Sequence, residues 1–204
     1  MEHETARRYT RIAKLYDLFQ WPLELLHLNR LRSEVIAKAK GKILEVGIGT
    51  GKNLPLYPLS SDLTGIDFSS GMLDIARRKT ARLGLHKTTL INMDIEAMSF
   101  SDDSFETIIS TFVFCTVPHP DQGLRELYRV LKPGGKAIFL EHMKSDSKVL
   151  NLFLYMMDKM TTPLLGTSMI RETQKEIEKA GFTILESHNK VFDILRLIVA
   201  TKLQ

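Results

Sequence analysis

The 204-residue sequence predicts an α/β fold: a seven-stranded, mainly parallel sheet with an antiparallel last strand and helices on both faces. From residue 41 onward, short apolar runs alternate with helical segments, a pattern typical of β–α–β units. The last two apolar runs are separated by a short connection, which cannot make a parallel crossover. We therefore expect those two strands to pair antiparallel, with the reversed strand at an edge of the sheet.

The first forty residues predict helices. The segment "RRYTRIAKLYDLFQ" is followed by "PLELLHLNRLRSEVIAKAK", in which Pro22 is well placed to begin the second helix. The pattern changes at Gly41, so we divide the chain into an N-terminal helical segment, 1–40, and a sheet domain, 41–204.

Strands and helices then follow in a regular order. The helix "SSGMLDIARRKTARLG" begins at capping serines and ends at Gly84. The helix "PDQGLRELYRVLKPGG" ends at Pro and Gly, "VLNLFLYMMDKM" is apolar, and "RETQKEIEKAG" is amphipathic. The predicted strands are KILEVG, DLTGID, TTLINMD, a run within SFETIISTFVFCTV, GKAIFLEHM, FTILESHN and DILRLIVATK.

The composition, 44% hydrophobic and 25% charged, is that of a globular protein. The net charge of +4 resides in residues 1–42, which hold nine Lys or Arg and five Asp or Glu. Such an excess is consistent with contact to an anionic surface or with a solvated helix face. No apolar run is long enough to span a bilayer, and the N-terminus lacks an apolar signal-peptide core, so we expect a cytoplasmic protein.

Metal-ligating residues are sparse. The single cysteine, Cys115, excludes an internal disulfide framework and a multi-cysteine metal site. The six histidines show no paired ligand spacing, so we expect no structural metal.

The glycine-rich stretch "KILEVGIGTGKNLPLY" ends the first strand. A phosphate-binding P-loop needs G-x-x-x-x-G-K-[ST], but Val46 occupies the first glycine position and Asn53 replaces the hydroxyl residue. The spacing also differs from the G-x-G-x-x-G of dinucleotide-binding folds. A tight strand-to-helix turn with no ligand remains an alternative at this level.

Three acidic residues favour a ligand. Glu45 lies two residues before the first glycine, Asp67 ends the second strand, and Asp94 follows the third. Open α/β sheets bind ligands at the carboxyl ends of their strands, where these acids converge. Such a pocket repels pyrophosphate and suits a cationic nucleoside whose hydroxyls and amines donate hydrogen bonds.

The chain resembles class I S-adenosylmethionine-dependent methyltransferases along nearly its whole length. The resemblance rests on "LEVGIGTG", "TGIDFSSGMLDIARR", "NMDIEAMSFSDDSFETIISTFVF" and "ELYRVLKPGGKAIFLEH". It implies a Rossmann-like fold with an antiparallel seventh strand, S-adenosylmethionine as cofactor and S-adenosylhomocysteine as product. In that frame, segment 1–40 is a helical lid or membrane-contact segment, and 41–204 is the cofactor-binding domain.

The resemblance also implies roles for individual residues. Asp67 would bind the ribose, and Asp94 would accept from the adenine amine. The helix after the glycines, with Pro55 early in it and Pro58 ending it soon, would favour the methionine carboxylate. The remaining cofactor candidates are Glu45, Gly47, Gly49, Gly51, Ser110 and Thr111 at the methionine end, Phe68, Met72 and Ile95 at the adenosine, and Tyr9 and Tyr16 closing over the site.

The methyl acceptor is not chosen by one motif. "RYTRIAKLYDLFQWPLE" resembles the opening of ubiquinone/menaquinone methyltransferases and of bacterial phospholipid N-methyltransferases, and "GKNLPLYP" and "FDILRLIVATK" look closer to the phospholipid enzymes. "VFCTVPHP" and "FLEHMKS" are similar to alkyl thiol methyltransferases. A phosphatidylethanolamine-type amine is the preferred acceptor, with a quinone precursor or a small thiol as alternatives. A non-catalytic cofactor-binding module is the alternative of a different class.

Two further features concern the acceptor. Tyr16, His119 and His142 are the candidate bases for an acceptor that carries a proton. Residues 1–20 combine basic and aromatic side chains, which suits a helix on an anionic membrane or a lid. The sequence shows no known basic element that reads nucleic acid, so we expect no nucleic-acid substrate. The Met-rich helix around Met156, Met157 and Met160 predicts an adaptable apolar surface or ordinary core packing.

Overall fold

A computed structural model describes residues 28–145, 147–165, 168, 171–191 and 193–203. Residues 1–27, with Tyr9, Tyr16, Pro22 and the predicted membrane segment, lie outside the described residues, as do the side chains of Met157 and Met160. Within the described part of the chain, no helix is both long and apolar enough to cross a bilayer.

Seven strands form one sheet in the order β3-β2-β1-β4-β5-β7-β6. Neighbouring strands run parallel except β7, which is antiparallel to both β5 and β6. The strands are β1 (Lys42–Val46), β2 (Asp62–Asp67), β3 (Thr88–Asn92), β4 (Phe105–Thr111), β5 (Leu131–His142), β6 (Thr183–Val191) and β7 (Leu195–Thr201).

The seven strands and the antiparallel last strand are confirmed, but the prediction that the reversed strand forms an edge is wrong. Strand β7 lies between β5 and β6, so β6 forms the edge. The cause is burial: residues 197–200 form a continuous apolar run that is buried on both faces of the sheet. Strand β6 carries the polar and exposed Ser187, His188 and Asn189, which suit an edge.

Five α-helices flank the sheet in the described residues. The predicted cap and stop of α2 are confirmed: Ser69 accepts from the Met72 N–H at 3.3 Å, and Gly84 ends the helix at φ 68°. Helix α3 ends at Val130, before the predicted Pro–Gly stop, because β5 already begins at Leu131. The helices are α1 (Asn29–Ile36), α2 (Ser70–Leu83), α3 (Pro120–Val130), α4 (Lys148–Leu165) and α5 (Thr173–Lys179).

The sheet separates two hydrophobic cores. Consecutive residues of one strand enter opposite cores, as Ile108 and Ile109 of β4 do. Leu124 and Leu127 of α3 pack in the core of Ile108, whereas Val35 of α1 and Leu73 of α2 pack in the core of Ile109.

The register brings four strand ends to one edge of the sheet. Val46 pairs with Ile66 on one side and with Ser110 on the other, and Asp67 pairs with Asn92. The residues that follow β1, β2, β3 and β4 therefore share the edge at which open α/β sheets bind ligands.

Candidate active site

The loop after β1 requires glycine for two different reasons. Gly47, Gly49 and Gly51 have φ values of 59°, 56° and 73°, a region that side chains rarely adopt. A Cβ on Gly47 would come within 2.5 Å of Val113 Cγ2, and one on Gly51 would overlap Leu54. A Cβ on Gly49 would instead meet only the Gly47 carbonyl oxygen, at 3.9 Å, so at this position the backbone has room to approach a ligand.

No α-helix follows the glycines, contrary to the prediction. The chain makes only a three-residue 3₁₀ turn, Leu54–Leu56, with Pro55 at its start. The expected helix N-terminus for a carboxylate is therefore absent, because three residues cannot align a helix dipole. The prediction that Pro55 and Pro58 leave only a short helical element is confirmed.

Asp67 links the glycine loop to the end of β2. The Gly49 N–H donates to its Oδ2 and the Ser69 N–H to its Oδ1, both at 2.8 Å. Burial raises the pKa of Asp67 to about 6, against the effect of these two bonds. Each carboxylate oxygen keeps a further lone pair that can accept from a ligand hydroxyl, so the residue fits a ribose.

The residues predicted for the nucleoside lie beside Asp67. The Asn92 amide and the Met93 N–H both donate to the Asp67 backbone carbonyl, which ties the ends of β2 and β3 together. Phe68 is partly exposed, Met72 and Ile95 are buried, and the half-buried Asp94 accepts from the Glu96 N–H at 2.9 Å. Apolar surface next to carboxylates is what an adenosine needs.

Glu45 is fully buried and bonded to the loop itself. Asn53 Nδ2 donates to its Oε1 at 2.9 Å, and the Tyr57 hydroxyl donates to its Oε2 at 2.8 Å. Burial raises the pKa of Glu45 to about 7, although both bonds and the charge of Arg32 act in the opposite direction. The carboxylate thus anchors the glycine loop and its following turn to β1.

Arg32 of α1 completes this network, which sequence reasoning missed. Its buried guanidinium donates to Asn53 Oδ1 at 3.0 Å and to Thr111 Oγ1 at 3.1 Å, and it lies 5.1 Å from the centre of the Phe112 ring. Asn53 also donates to the Thr111 hydroxyl. The sequence signal was slight: Asn53 stands where a P-loop has a hydroxyl residue, and nothing local marks Arg32.

A second buried carboxylate, Glu141 of β5, holds the loop after β4. It accepts from the Ser110 hydroxyl at 2.7 Å, from the Val113 N–H at 3.0 Å and from the Phe114 N–H at 3.3 Å. Burial raises its pKa to about 7. These bonds hold the neighbouring Phe112 at φ 61°, a strained conformation for a residue with a side chain.

Comparisons with known proteins identify the family of this chain. The sequence profile described as "Methyltransferase domain" matches residues 44–139. The chain is 37% identical over 142 residues to phosphatidylethanolamine N-methyltransferase of Cereibacter sphaeroides, covering 69% of each chain. The chain belongs to the class I S-adenosylmethionine-dependent methyltransferases.

Other methyltransferases are also similar. A ubiquinone/menaquinone biosynthesis C-methyltransferase from Geotalea daltonii is 36% identical over 144 residues, covering 65% of this chain and 60% of that one. A thiol S-methyltransferase from Rattus norvegicus is 29% identical over 184 residues, covering 88% and 72%. The crystal structure of an S-adenosylmethionine-dependent methyltransferase from Aquifex aeolicus superposes with a TM-score of 0.70 at 22% identity, covering 96% and 98%, and shows the shared fold.

This chain is therefore an enzyme, and its methyl donor is S-adenosylmethionine. The expected fold and cofactor are confirmed by these comparisons. The strand ends carry groups compatible with that donor: buried carboxylates that can accept hydrogen bonds, and Gly49, where an added Cβ would touch only a backbone oxygen.

The two predicted histidine bases lie in different surroundings. His142, at the end of β5, packs its ring 5.0 Å from that of Phe112, and burial lowers its pKa, which favours the neutral imidazole. His119 is exposed at the start of α3, where its backbone N–H donates to Glu96 at 2.7 Å and its side chain makes no cap. His119 ends the loop after β4, whereas His142 packs against Phe112 at the start of that loop.

Cys115 lies in the same loop but is not a base. Its thiol donates to the Phe112 carbonyl at a sulfur–oxygen distance of 3.6 Å. Burial and the nearby Glu141 raise the thiol pKa to about 12, so it stays protonated at neutral pH.

Proposed function

We propose that this methyltransferase transfers a methyl group to the amine of a phosphatidylethanolamine-type phospholipid at a membrane surface. The observation that carries the proposal is the similarity to the Cereibacter enzyme, whose identity over two thirds of both chains exceeds that of the quinone and thiol relatives described above. The named relatives share lipophilic or small acceptors, which supports the broader class.

In this proposal, the donor lies across the carboxyl ends of β1 to β4. Asp67 accepts from the ribose hydroxyls, and Asp94 accepts from the adenine amine. Glu45 acts by holding the glycine loop, since both of its oxygens already have donors. The other proposed contacts are Gly47, Gly49, Gly51, Ser110 and Thr111 at the methionine end, Phe68, Met72 and Ile95 around the adenosine, and Tyr9 and Tyr16 as a lid.

His142 takes the proton of the acceptor. Bound S-adenosylmethionine supplies an electrophilic methyl carbon on a sulfonium, and S-adenosylhomocysteine leaves. An ammonium nitrogen can attack only after it has lost a proton, and the neutral His142 imidazole is suited to accept it at a ring nitrogen. Phe112 fixes the orientation of that ring, and the Glu141 bonds fix Phe112. Positioning supplies most of the remaining acceleration.

A quinone precursor is the second candidate acceptor. It rests on 36% identity to the Geotalea enzyme, although the chain spans only 60% of that relative. A small thiol is the third candidate, because the rat thiol enzyme is similar along most of the chain.

Transfer of a labelled methyl group tests the proposal. The full chain is incubated with methyl-labelled S-adenosylmethionine and, in separate reactions, with vesicles containing phosphatidylethanolamine, with a demethylated quinol and with an alkyl thiol. We expect label in the phospholipid, on nitrogen. Label in the quinol or the thiol alone would replace the proposed acceptor, and no label in any acceptor would overturn the lipophilic class.

A further inference from the structure

Helix α4 presents an apolar stripe to solvent. Its exposed members are spaced as neighbours on one helical face, whereas Leu154 on the opposite face is buried. The prediction of ordinary core packing therefore fails for this face, and the adaptable apolar surface remains. The stripe consists of Val149, Leu152, Tyr155 and Met156, exposed by 82%, 64%, 48% and 63%.

The ends of the stripe are basic. Lys148 and Lys159 are both exposed and lie about 16 Å apart along the helix. The Lys159 ammonium lies 4.9 Å from the centre of the Tyr155 ring. The only acidic residue in the helix sequence, Asp158, is half-buried and lies away from the centre of the stripe. Apolar side chains between lysines, with an aromatic ring at the boundary, are typical of a helix lying in an anionic lipid interface.

The size of the stripe favours lipid over a protein partner. The four side chains expose roughly a few hundred Å², below the ~800 Å² per partner of a stable protein interface. A helix at the lipid interface needs only to insert its apolar face among the acyl chains, so the same area is sufficient there.

The anchors of α4 place the stripe beside the site. At its start, Asn151 bonds the N–H and the carbonyl of Ser145, whose hydroxyl donates to Asp193 ahead of β7 at 2.7 Å. Beyond its end, the Ser168 N–H donates to the Cys115 carbonyl at 2.7 Å, and Arg171 donates to the Val117 carbonyl at 2.8 Å. Both ends are therefore tied to loops at the strand-end edge, next to Phe112 and His142.

We infer that the exposed face of α4 is a docking surface for an anionic lipid bilayer, which brings the acceptor side of the enzyme to the membrane. The purpose of this docking rests on the proposed lipophilic acceptor, but the docking itself does not require that acceptor.

Sedimentation with vesicles of phosphatidylcholine and phosphatidylglycerol tests the inference. These vesicles contain no ethanolamine lipid, so the result is independent of which acceptor is methylated. We expect the wild-type chain to pellet with them, and the Leu152→Glu/Met156→Glu variant to bind at least tenfold more weakly. Leu185→Glu, the same change at an exposed leucine on β6, is the matched control and should bind like wild type.

Folding of each variant is checked by its affinity for S-adenosylmethionine, which should equal that of wild type. Lys148→Gln/Lys159→Gln, which leaves the apolar stripe intact, should reduce binding severalfold and reduce its salt dependence. Wild type that stays in the supernatant would overturn the inference, as would a double glutamate variant that pellets like wild type. A wild-type dimer that the glutamates dissociate, with no vesicle binding, would also overturn it and show an interface between two copies.

Discussion

The glycine loop and helix α4 differ in which side chains they bury and which they expose. Around the loop, buried polar groups bond one another: Glu45 with Asn53 and Tyr57, and Arg32 with Asn53 and Thr111. On α4, the apolar side chains of the stripe face solvent. The proposed cofactor side is thus held together by its own hydrogen bonds, whereas the proposed acceptor side exposes an apolar surface. Such a division allows one donor site to serve different acceptors in related enzymes.

Among the substitutions on the proposed cofactor side, removal of the Glu141 carboxylate should have the largest effect on stability. Glu141→Ala leaves the Ser110 hydroxyl and the Val113 and Phe114 N–H groups buried without their acceptor. We expect a loss of about 3–5 kcal/mol in the free energy of unfolding, measured by urea denaturation. Glu106→Ala, on the same sheet but exposed, should leave stability nearly unchanged. Equal stability of the two variants would show that the loop after β4 is held by other contacts.

Substitutions at the two histidines test which of them accepts the proton. His142→Gln should reduce kcat by about 10–100-fold, because the loop then lacks a proton acceptor, with little change in affinity for S-adenosylmethionine. His119→Gln changes an exposed side chain and should retain nearly full activity. Steady-state kinetics, with the acceptor that takes up label as the substrate, measures kcat for both variants. If the His119 variant is the impaired one, the assignment of the base is wrong.

The buried carboxylates predict how stability depends on pH. In the folded chain the pKa values of Glu45 and Glu141 are raised to about 7 and that of Asp67 to about 6. A raised carboxyl pKa means that the folded state holds more protons than the unfolded state, so stability is lost as pH rises through the folded pKa. Each group contributes about 1.4 kcal/mol per pH unit between its unfolded and folded pKa, and the lowered pKa of His142 acts in the opposite direction. We expect a net fall of a few kcal/mol in the free energy of unfolding between pH 5 and pH 8.

Glu45→Gln isolates one of these groups. Urea denaturation at the two pH values should show a smaller decrease for this variant than for wild type, because one buried ionisable group is gone. A wild-type chain that is more stable at pH 8 than at pH 5 would contradict the sign of the prediction.

The smallest expected effect is at the helix that follows β2. Ser69→Ala removes the cap from the Met72 N–H and should cost about 1 kcal/mol of unfolding free energy. Ser70→Ala, one residue later and exposed, is the control. Thermal denaturation should separate the two, and identical curves would mean that α2 does not depend on its cap.

Sequence patterns correctly predicted the features that depend only on residues close together in the chain. The glycines, Asp67 at the end of its strand, and the cap and stop of α2 were all visible in the sequence, because each depends on residues a few positions away. The antiparallel pairing of the last strands followed from the length of one connection.

The features that sequence reasoning missed depend on distant partners. Arg32 bonds Thr111 across 79 residues of sequence, and Glu141 bonds Ser110 across 31. Neither residue has a local signal that it is buried. The position of β7 inside the sheet likewise depends on which strand buries both faces, and the exposed side of α4 depends on which side of that helix the sheet covers.

Calorimetric titration of S-adenosylmethionine into Asp67→Ala tests the central claim most directly, namely that the strand-end carboxylate beside Gly49 holds the donor. The account predicts binding weaker by about 1–3 kcal/mol, or roughly 5–150-fold, because the ribose hydroxyls lose a buried acceptor. Asp62→Ala, at the exposed amino end of the same strand, should bind like wild type. Equal affinities for wild type and Asp67→Ala would contradict the account.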